Sequence, residues 1–308
     1  MKASYFEKHG GPEVLQFGEF PDPTPESNEI LVDIHAASVN GADWKVRTNQ
    51  YGRPVSFPYI LGRDFSGVVS AVGSEANDFK IGEEVFGVCE NGQEGTYAEK
   101  IAMDQKLVAI KPSNLSHLDA ASLALIGLTA IVSIEDCLQL RSGEKILIQG
   151  GAGGVAGFAI QLAKFIGAHV ITTTSATNID YVKELGADEV IDYKTQDFTE
   201  MVSDCDAVFD TVGGDVAMRS FKVIKSGGRA AFIASGIKAP DSPRDDVRSL
   251  RPDAQRSRAR MERVAELASN NVVKIPERQI FDLSQAQEAH RISEARHLRG
   301  KLMFEIKK

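Results

Sequence analysis

The sequence predicts an α/β protein in which a doubly wound parallel sheet, covered by helices on both faces, is inserted into a second, mostly antiparallel β domain. Three observations predict it. The middle of the chain alternates short apolar runs with helical patterns, a glycine-rich turn joins one of those runs to its helix, and the first third and the last residues carry the period-two alternation of strands.

Taken in order, the N-terminal third alternates in steps of two at Ile30, Val32 and Ile34 and again at Val69 and Ala71, with Pro and Gly between, as in PDPTPESNE. Side chains two apart share one face of a strand, so this pattern reads as short, half-buried strands. From about Asp119 the pattern becomes ILIQG, a helix, HVITTT, a helix through Tyr181 to Leu185, DEVID, DAVFDTVG, a helix and GRAAFIAS. Met261, Val264, Ala265 and Ala268 mark another amphipathic helix, and the tail KLMFEI returns to strand character. The tail is expected to rejoin the first domain, which makes the division 1–118 plus 270–308 around an inserted 119–269. AAFIAS is expected to be an exposed sheet edge able to pair across a two-fold axis, in a homodimer or homotetramer.

With 308 residues and a formal net charge of -8, the chain has room for about two domains, and its charge disfavours nucleic acid as a partner. Cys89, Cys137 and Cys205 are too far apart for CxxC-type metal sites and fit a reducing compartment. The start, MKASYFEKHGG, has no apolar leader core. Of two charge-free stretches, Ala120 to Ile134 is short for a membrane span, and Ile146 to Ala163 carries five glycines and two glutamines. The expectation is a soluble cytoplasmic protein without a membrane partner.

EKILIQGGAGGVAGFAIQLAK, Glu144 to Lys164, is the most informative segment. Lys145 to Gln149 reads as a buried strand, Gly150, Gly151, Gly153 and Gly154 as a tight turn, and Val155, Phe158, Ala159, Leu162, Ala163 and Ile166 as the packed face of a helix. That order aims free backbone N–H groups and a positive helix end at a pyrophosphate, and a Cβ in the turn would hold phosphate away. The motif Gly151-x-Gly153-x-x-Ala156 therefore predicts dinucleotide binding through Gly151, Gly153, Gly154 and Val155.

Over nearly its whole length the chain resembles the zinc-independent medium-chain dehydrogenases/reductases, the quinone oxidoreductases related to zeta-crystallin. ASVNGADWKVR, PYILGRDFSGVVSAVG, GTYAE, AASLALIGLTA, GGAGGVAG, ELGADEVIDY, VFDTVGG and GKLMFEI carry the resemblance, in the right order. It implies a GroES-like catalytic domain, an inserted Rossmann domain and an active site in the cleft between them. It also implies that Asn40 lies beside the nicotinamide ribose, that Thr129 lies near the nicotinamide and its phosphate, and that Tyr193 contacts the adenosine phosphate.

Zinc members carry Cys, His and Cys in segments that here read SVNGAD, Gly62-Arg63-Asp64 and LALIGLTA. At most Asp64 remains as a ligand where about three are needed, so no metal is expected. Without a Lewis acid an isolated ketone has nothing to hold alkoxide charge, whereas a quinone or enone spreads the charge itself. Arg63 is read as an ion pair with a neighbouring acid, or as an offset for enolate charge.

Where NAD-binding folds place an acid at the end of the second strand, this chain has Thr172-Thr173-Thr174-Ser175. Thr174, Ser175 and Asn178 can donate to a 2′-phosphate, so NADPH is the expected cofactor, although Asn178 stands where many relatives have Lys; Lys183 is a further candidate. Trp44, Tyr51 and Tyr59 are candidates for a flat wall against a quinone or enone, and Tyr51, Tyr59 or water for the proton donor. The seven arginines between Arg244 and Arg263 are read as a solvated helix face, with Arg256, Arg260 and Arg263 opposite the apolar stripe. The expected function is NADPH-dependent reduction of quinones or α,β-unsaturated carbonyls; the alternatives are an enoyl-thioester reductase and a nucleotide-binding structural or adaptor protein.

Overall fold

The computed structural model describes residues 1–307 except Asn91, Ile237, Ala254 and His297. It divides into two units, Met1–Leu125 with Arg256–Ser269 and Ile275–Lys308, and Ile126–Gln255 with Asn270–Lys274.

The second unit is a six-stranded sheet in the order Glu189–Asp192, His169–Thr174, Lys145–Gln149, Cys205–Asp210, Ile224–Phe232 and Arg248–Leu250, every neighbouring pair parallel. Numbered within the sheet by chain order this is 3-2-1-4-5-6, the doubly wound arrangement, whose winding reverses between Lys145–Gln149 and Cys205–Asp210. Its central strands are buried almost end to end, as a sheet covered on both faces requires. Leu147, Ile171, Val208, Phe221, Ala230 and Phe232 pack one core cluster. The helix Gly154–Ile166 follows the first of these strands and ends at Gly167, whose φ of 93° is the left-handed cap that glycine supplies.

AAFIAS is not the sheet edge. Arg248–Leu250 pairs beside it, Ala230 against Ser249 and Ala231 against Leu250. Three residues reading RSL have no apolar alternation, so nothing local marks them as a strand.

The first unit is built on a seven-stranded sheet with Glu29–Val39 at its centre, pairing antiparallel with Asp64–Val72, Lys100–Asp104 and the tail strand Lys301–Glu305. The tail does rejoin the first domain: Leu302 lies opposite Val39 and Phe304 opposite Ala37. One edge pair, Arg278–Phe281 with Lys301–Glu305, is parallel. A smaller three-stranded sheet joins Lys2–Phe6, Gln16–Glu19 and Tyr59–Ile60. Ile30, Val32, Ile34, Phe65, Val69 and Val85 fill one core cluster.

The helix Arg258–Ser269 belongs to this first unit, not to the inserted domain that 119–269 would give it to. The arginines hold it there. Arg258 donates to Gln105 O (2.8 Å) and Val108 O (3.2 Å), pairs with Asp78 (2.9 Å) and lies over the Phe79 ring. The stretch Ala120–Ile134 is part of a longer helix, His117–Cys137, of 21 residues with mean hydropathy 1.7, long and apolar enough to cross a membrane by length and composition. Its most apolar window is 72% buried within the protein, with Ala120, Ala121, Ala124 and Leu128 at zero exposure, as in a core helix.

Candidate functional site

In the second unit the functional geometry begins at the end of Lys145–Gln149. Gly150 has φ +79° and turns the chain, its N–H donating to Thr173 Oγ1 (3.1 Å), while Gly151 N–H donates to Thr173 O (2.9 Å). Thr173 Oγ1 in turn donates to Gln149 Oε1 (2.7 Å), and Thr211 Oγ1 donates to Gln149 O (2.8 Å). Beyond the reversal point, Asp210 accepts from Val212 N–H (3.0 Å) and Gly213 N–H (2.9 Å), which shapes the VFDTVGG turn beside Gly150; burial raises its carboxyl against those bonds. Thr173, Gln149, Thr211 and Asp210 were not among the expected site residues; the signal for Gln149 and Asp210 was the polar residue that closes each strand.

The glycines divide by cause. A Cβ on Gly151 would stand 2.3 Å from Thr172 Oγ1, so this glycine serves packing within the protein. A Cβ on Gly153 would meet no atom nearer than Gly150 O at 3.4 Å, and its φ is -73°. Nothing in the protein requires a glycine there; a ligand approaching the backbone would. Gly153 caps the helix Gly154–Ile166 without a side-chain bond, so the first-turn amides of Gly154, Val155 and Ala156 have neither an intrahelical nor a side-chain acceptor. An anion-binding helix start at the reversal of a doubly wound sheet fits a dinucleotide pyrophosphate.

The neighbouring strand ends gather the other expected contacts. Thr174, opposite Asp192, closes its strand and is buried at 3% exposure; Ser175 and Asn178 are half-buried; Tyr193 is exposed, its N–H bonded to Thr174 O (3.1 Å). Asn178 Nδ2 donates to Ser175 Oγ (3.2 Å). Lys183 is exposed on the helix Ile179–Glu184. Thr129 is half-buried in its helix, its carbonyl accepting from Ser133 Oγ (2.7 Å).

In the first unit Asn40 stands at the end of Glu29–Val39 and starts the helix Gly41–Arg47. Its Nδ2 donates to Asp64 Oδ1 (2.8 Å), and its Oδ1 accepts from Lys301 Nζ (2.7 Å). Asp64, fully buried, also accepts from Ser38 Oγ (2.8 Å) and Leu125 N–H (3.3 Å). Asp64 is thus engaged in an internal network with Lys301, a residue that sequence reasoning did not single out.

A second chain of polar groups runs beside it. Asp43 accepts from Asn40 N–H (2.8 Å) and Tyr97 OH (2.8 Å); Tyr97 OH meets His290 Nε2 (3.2 Å); His290 Nδ1 meets Arg47 Nη1 (3.2 Å); Arg47 pairs with Glu294. Burial pushes the Asp43 carboxyl up to about 6 and the His290 imidazole down to about 3. From Asp43 the chain continues to Arg63 (3.4 Å), then Glu94 (2.8 Å), which accepts from Arg53 (2.7 Å) and the Tyr59 hydroxyl. Arg63 is therefore a buried ion pair. Burial alone would lower its guanidinium, and Asp43 and Glu94 outweigh that.

Of the expected aromatic wall, Tyr59 is half-buried and committed to Glu94, Tyr51 is 37% exposed, and Trp44 is 6% exposed, a core residue with Lys45 and Arg296 over its ring. Arg256 is not on a solvated face either: it precedes the helix, and its side chain is 4% exposed. Among the described residues, no group of three or more His, Cys, Asp or Glu side chains could hold a metal ion.

Two family models match, Alcohol dehydrogenase GroES-like domain over residues 26–113 and Zinc-binding dehydrogenase over 185–303. The 2-methylene-furan-3-one reductase of Solanum lycopersicum is 38% identical over 251 residues, which cover 78% of this chain and 64% of that relative. The chain belongs to the quinone oxidoreductase family of medium-chain dehydrogenases/reductases. Family members of known structure superpose along its length. The quinone oxidoreductase from Coxiella burnetii does so with TM-score 0.91 and 34% identity, covering 100% of this chain and 99% of that one. The Escherichia coli quinone oxidoreductase complexed with NADPH does so with TM-score 0.91 and 29% identity, over 99% and 100%. The matched part of this chain thus spans slightly under two thirds of the tomato reductase.

Proposed function

We propose that this chain is an NADPH-dependent oxidoreductase that reduces quinones or α,β-unsaturated carbonyls by hydride transfer without zinc. The observation that carries the reading is the uncapped start of Gly154–Ile166 behind Gly153, a cradle that no contact among the described residues explains. NADPH, named for the E. coli family member, fits its anion-binding character, and Ser175 offers a hydroxyl close to where NAD-binding folds place an acid.

When bound, the reduced nicotinamide supplies the hydride. Gly154 and Val155 would hold phosphate through their amides, Ser175, Asn178 and Tyr193 would take the adenosine end, and the family resemblance assigns Asn40 and Thr129 to the nicotinamide end. The segments that carry zinc ligands in other members hold Asn40, Arg63 and Asp64 here; Asn40 is bonded to Asp64 and Lys301, and Arg63 is ion-paired with Glu94 and Asp43. The acceptor must then spread its own negative charge, which a quinone or enone does and a saturated ketone does not. Tyr59 is a poor proton donor, because burial and Glu94 hold its hydroxyl above the usual phenol range. Tyr51 or water is left for that step.

A reducing cytoplasmic setting is part of this reading, supported by the unpaired thiols of Cys89, Cys137 and Cys205. So is a homodimer or homotetramer, for which Arg248–Leu250 is the edge strand available. The test is a spectrophotometric screen of NADPH oxidation against quinones, enones, enals and crotonyl thioesters. Turnover of quinones or enones is expected. Turnover of the thioester alone would make the protein an enoyl-thioester reductase, and tight NADPH binding without turnover an adaptor.

A further inference from the structure

Among the described residues, Arg256 has the most buried side-chain polar atoms without a hydrogen-bond partner. Its side chain is 4% exposed, and among the described residues its Nε and Nη1 have no hydrogen-bond acceptor. The nearest acid, Glu90, is 46% exposed and lies 3.5 Å from Nη1, an ion pair too long for a hydrogen bond. Arg63 stands close by, with Nη2 spent on Glu94 and Nε, 3.4 Å from Asp43, also without a hydrogen bond. Burial, and then the Arg63 charge, lower the Arg256 guanidinium.

A buried cation left with unfilled donors costs stability unless something fills them. The surrounding charges say what. Arg63, Arg53, Glu94 and Asp43 compensate one another, which leaves Arg256 with Glu90 alone, across 3.5 Å. A guanidinium met by one half-exposed acid, with Nε and Nη1 still without acceptors, suits a monoanion, whereas a phosphate dianion would be repelled more strongly by Glu90 and Glu94. Cys89, buried among the same groups, is no competitor: burial holds its thiol protonated.

We propose that Arg256, with Arg63 beside it, is an anion-recognition element, and that the conjugated acceptor this protein reduces carries a carboxylate. This rests on the enone reading above. Arg63 connects the element to the aromatic candidates, because Glu94 bonds both Arg63 and Tyr59. The guanidinium donates to the carboxylate and holds the acceptor by the end remote from the carbonyl. No bond is made or broken there.

The test compares (E)-6-oxohept-4-enoate with its methyl ester, the same enone with and without a charge that two methylenes insulate from the conjugated system. Wild type is expected to favour the acid in kcat/KM by about tenfold or more, the scale of one hydrogen bond to a charged group. In Arg256→Gln the ratio should fall to about one, and Arg256→Lys, which keeps the charge, should restore part of it. Equal or better turnover of the ester by wild type, or a ratio unchanged in Arg256→Gln, would overturn the proposal. Calorimetric titration with 6-oxoheptanoate, which cannot turn over as an enone, separates it from the enone reading. If neither acceptor oxidises NADPH, the enone reading fails, while 6-oxoheptanoate binding that Arg256→Gln abolishes still supports the anion site and no binding to wild type refutes it.

Discussion

The ammonium group of Lys301 donates to Asn40 Oδ1 over 2.7 Å, and the other end of the same amide donates to Asp64 over 2.8 Å. A cation and an anion thus clamp one side chain and settle which way its amide points. The clamp joins the last strand to the centre of the sheet, since Nζ also donates to Val39 O (3.1 Å). Replacing Lys301 with Met keeps the apolar stem but orphans two buried acceptors, so urea unfolding should show a loss of about 1–3 kcal/mol. Asn40→Ala should lower turnover while the NADPH dissociation constant stays nearly constant, because the amide serves placement more than affinity.

Gly151 and Gly153 should fail differently. In Gly151→Ala the new methyl meets Thr172 at the distance of a clash, and thermal unfolding should show a loss of roughly 1–3 kcal/mol. Gly153→Val has room in the protein, so its unfolding midpoint should stay near wild type while NADPH affinity falls about tenfold or more, read by fluorescence titration. Equal destabilisation of both variants would remove the distinction.

Cofactor choice should respond at Ser175 rather than Thr174, because Thr174 is buried at 3% exposure and Ser175 is not. Ser175→Asp should weaken NADPH about tenfold and leave NADH nearly unchanged, since a carboxylate repels a 2′-phosphate and accepts from a free 2′-hydroxyl. Asn178→Lys should tighten NADPH. Both are read as dissociation constants at fixed ionic strength.

Asp43 gives a stability signature with a definite sign. Burial raises its folded value to about 6 from an ordinary 3.8, so between those values the folded state holds more of the proton than the unfolded state. Its contribution is therefore most favourable below about 4 and is lost as pH rises through about 6. His290, pushed down to about 3, works in the opposite direction below its ordinary value. The Asp43 share is read as wild type minus Asp43→Asn in urea unfolding at pH values spanning that window, and the difference should move against wild type as pH rises.

What the sequence made legible was local. The strand, glycine turn and helix from Lys145 to Ile166 lie within one continuous segment, and so does the polar strand end at Thr174 and Ser175, so their geometry follows from neighbours in the chain. The clamp on Asn40 joins residues 24 and 261 positions away, and the Asp43, Tyr97, His290 and Arg47 chain spans almost the whole sequence. No pattern marks such partners before the strands pair. Arg256 was misread for the same reason: helical spacing put it on a polar face, but it precedes Arg258–Ser269 and folds inward. Arg248–Leu250 was missed because parallel pairing with its neighbour, not its own composition, makes it a strand.

The central claim is that the acceptor, not a metal, stabilises the charge that arrives with the hydride. The most direct measurement is NADPH oxidation by 2-cyclohexenone and by 1,4-naphthoquinone against that by cyclohexanone, with the same enzyme and a metal chelator present throughout. The account predicts turnover of the two conjugated acceptors and none above background for the saturated ketone. Comparable or faster reduction of cyclohexanone would contradict it.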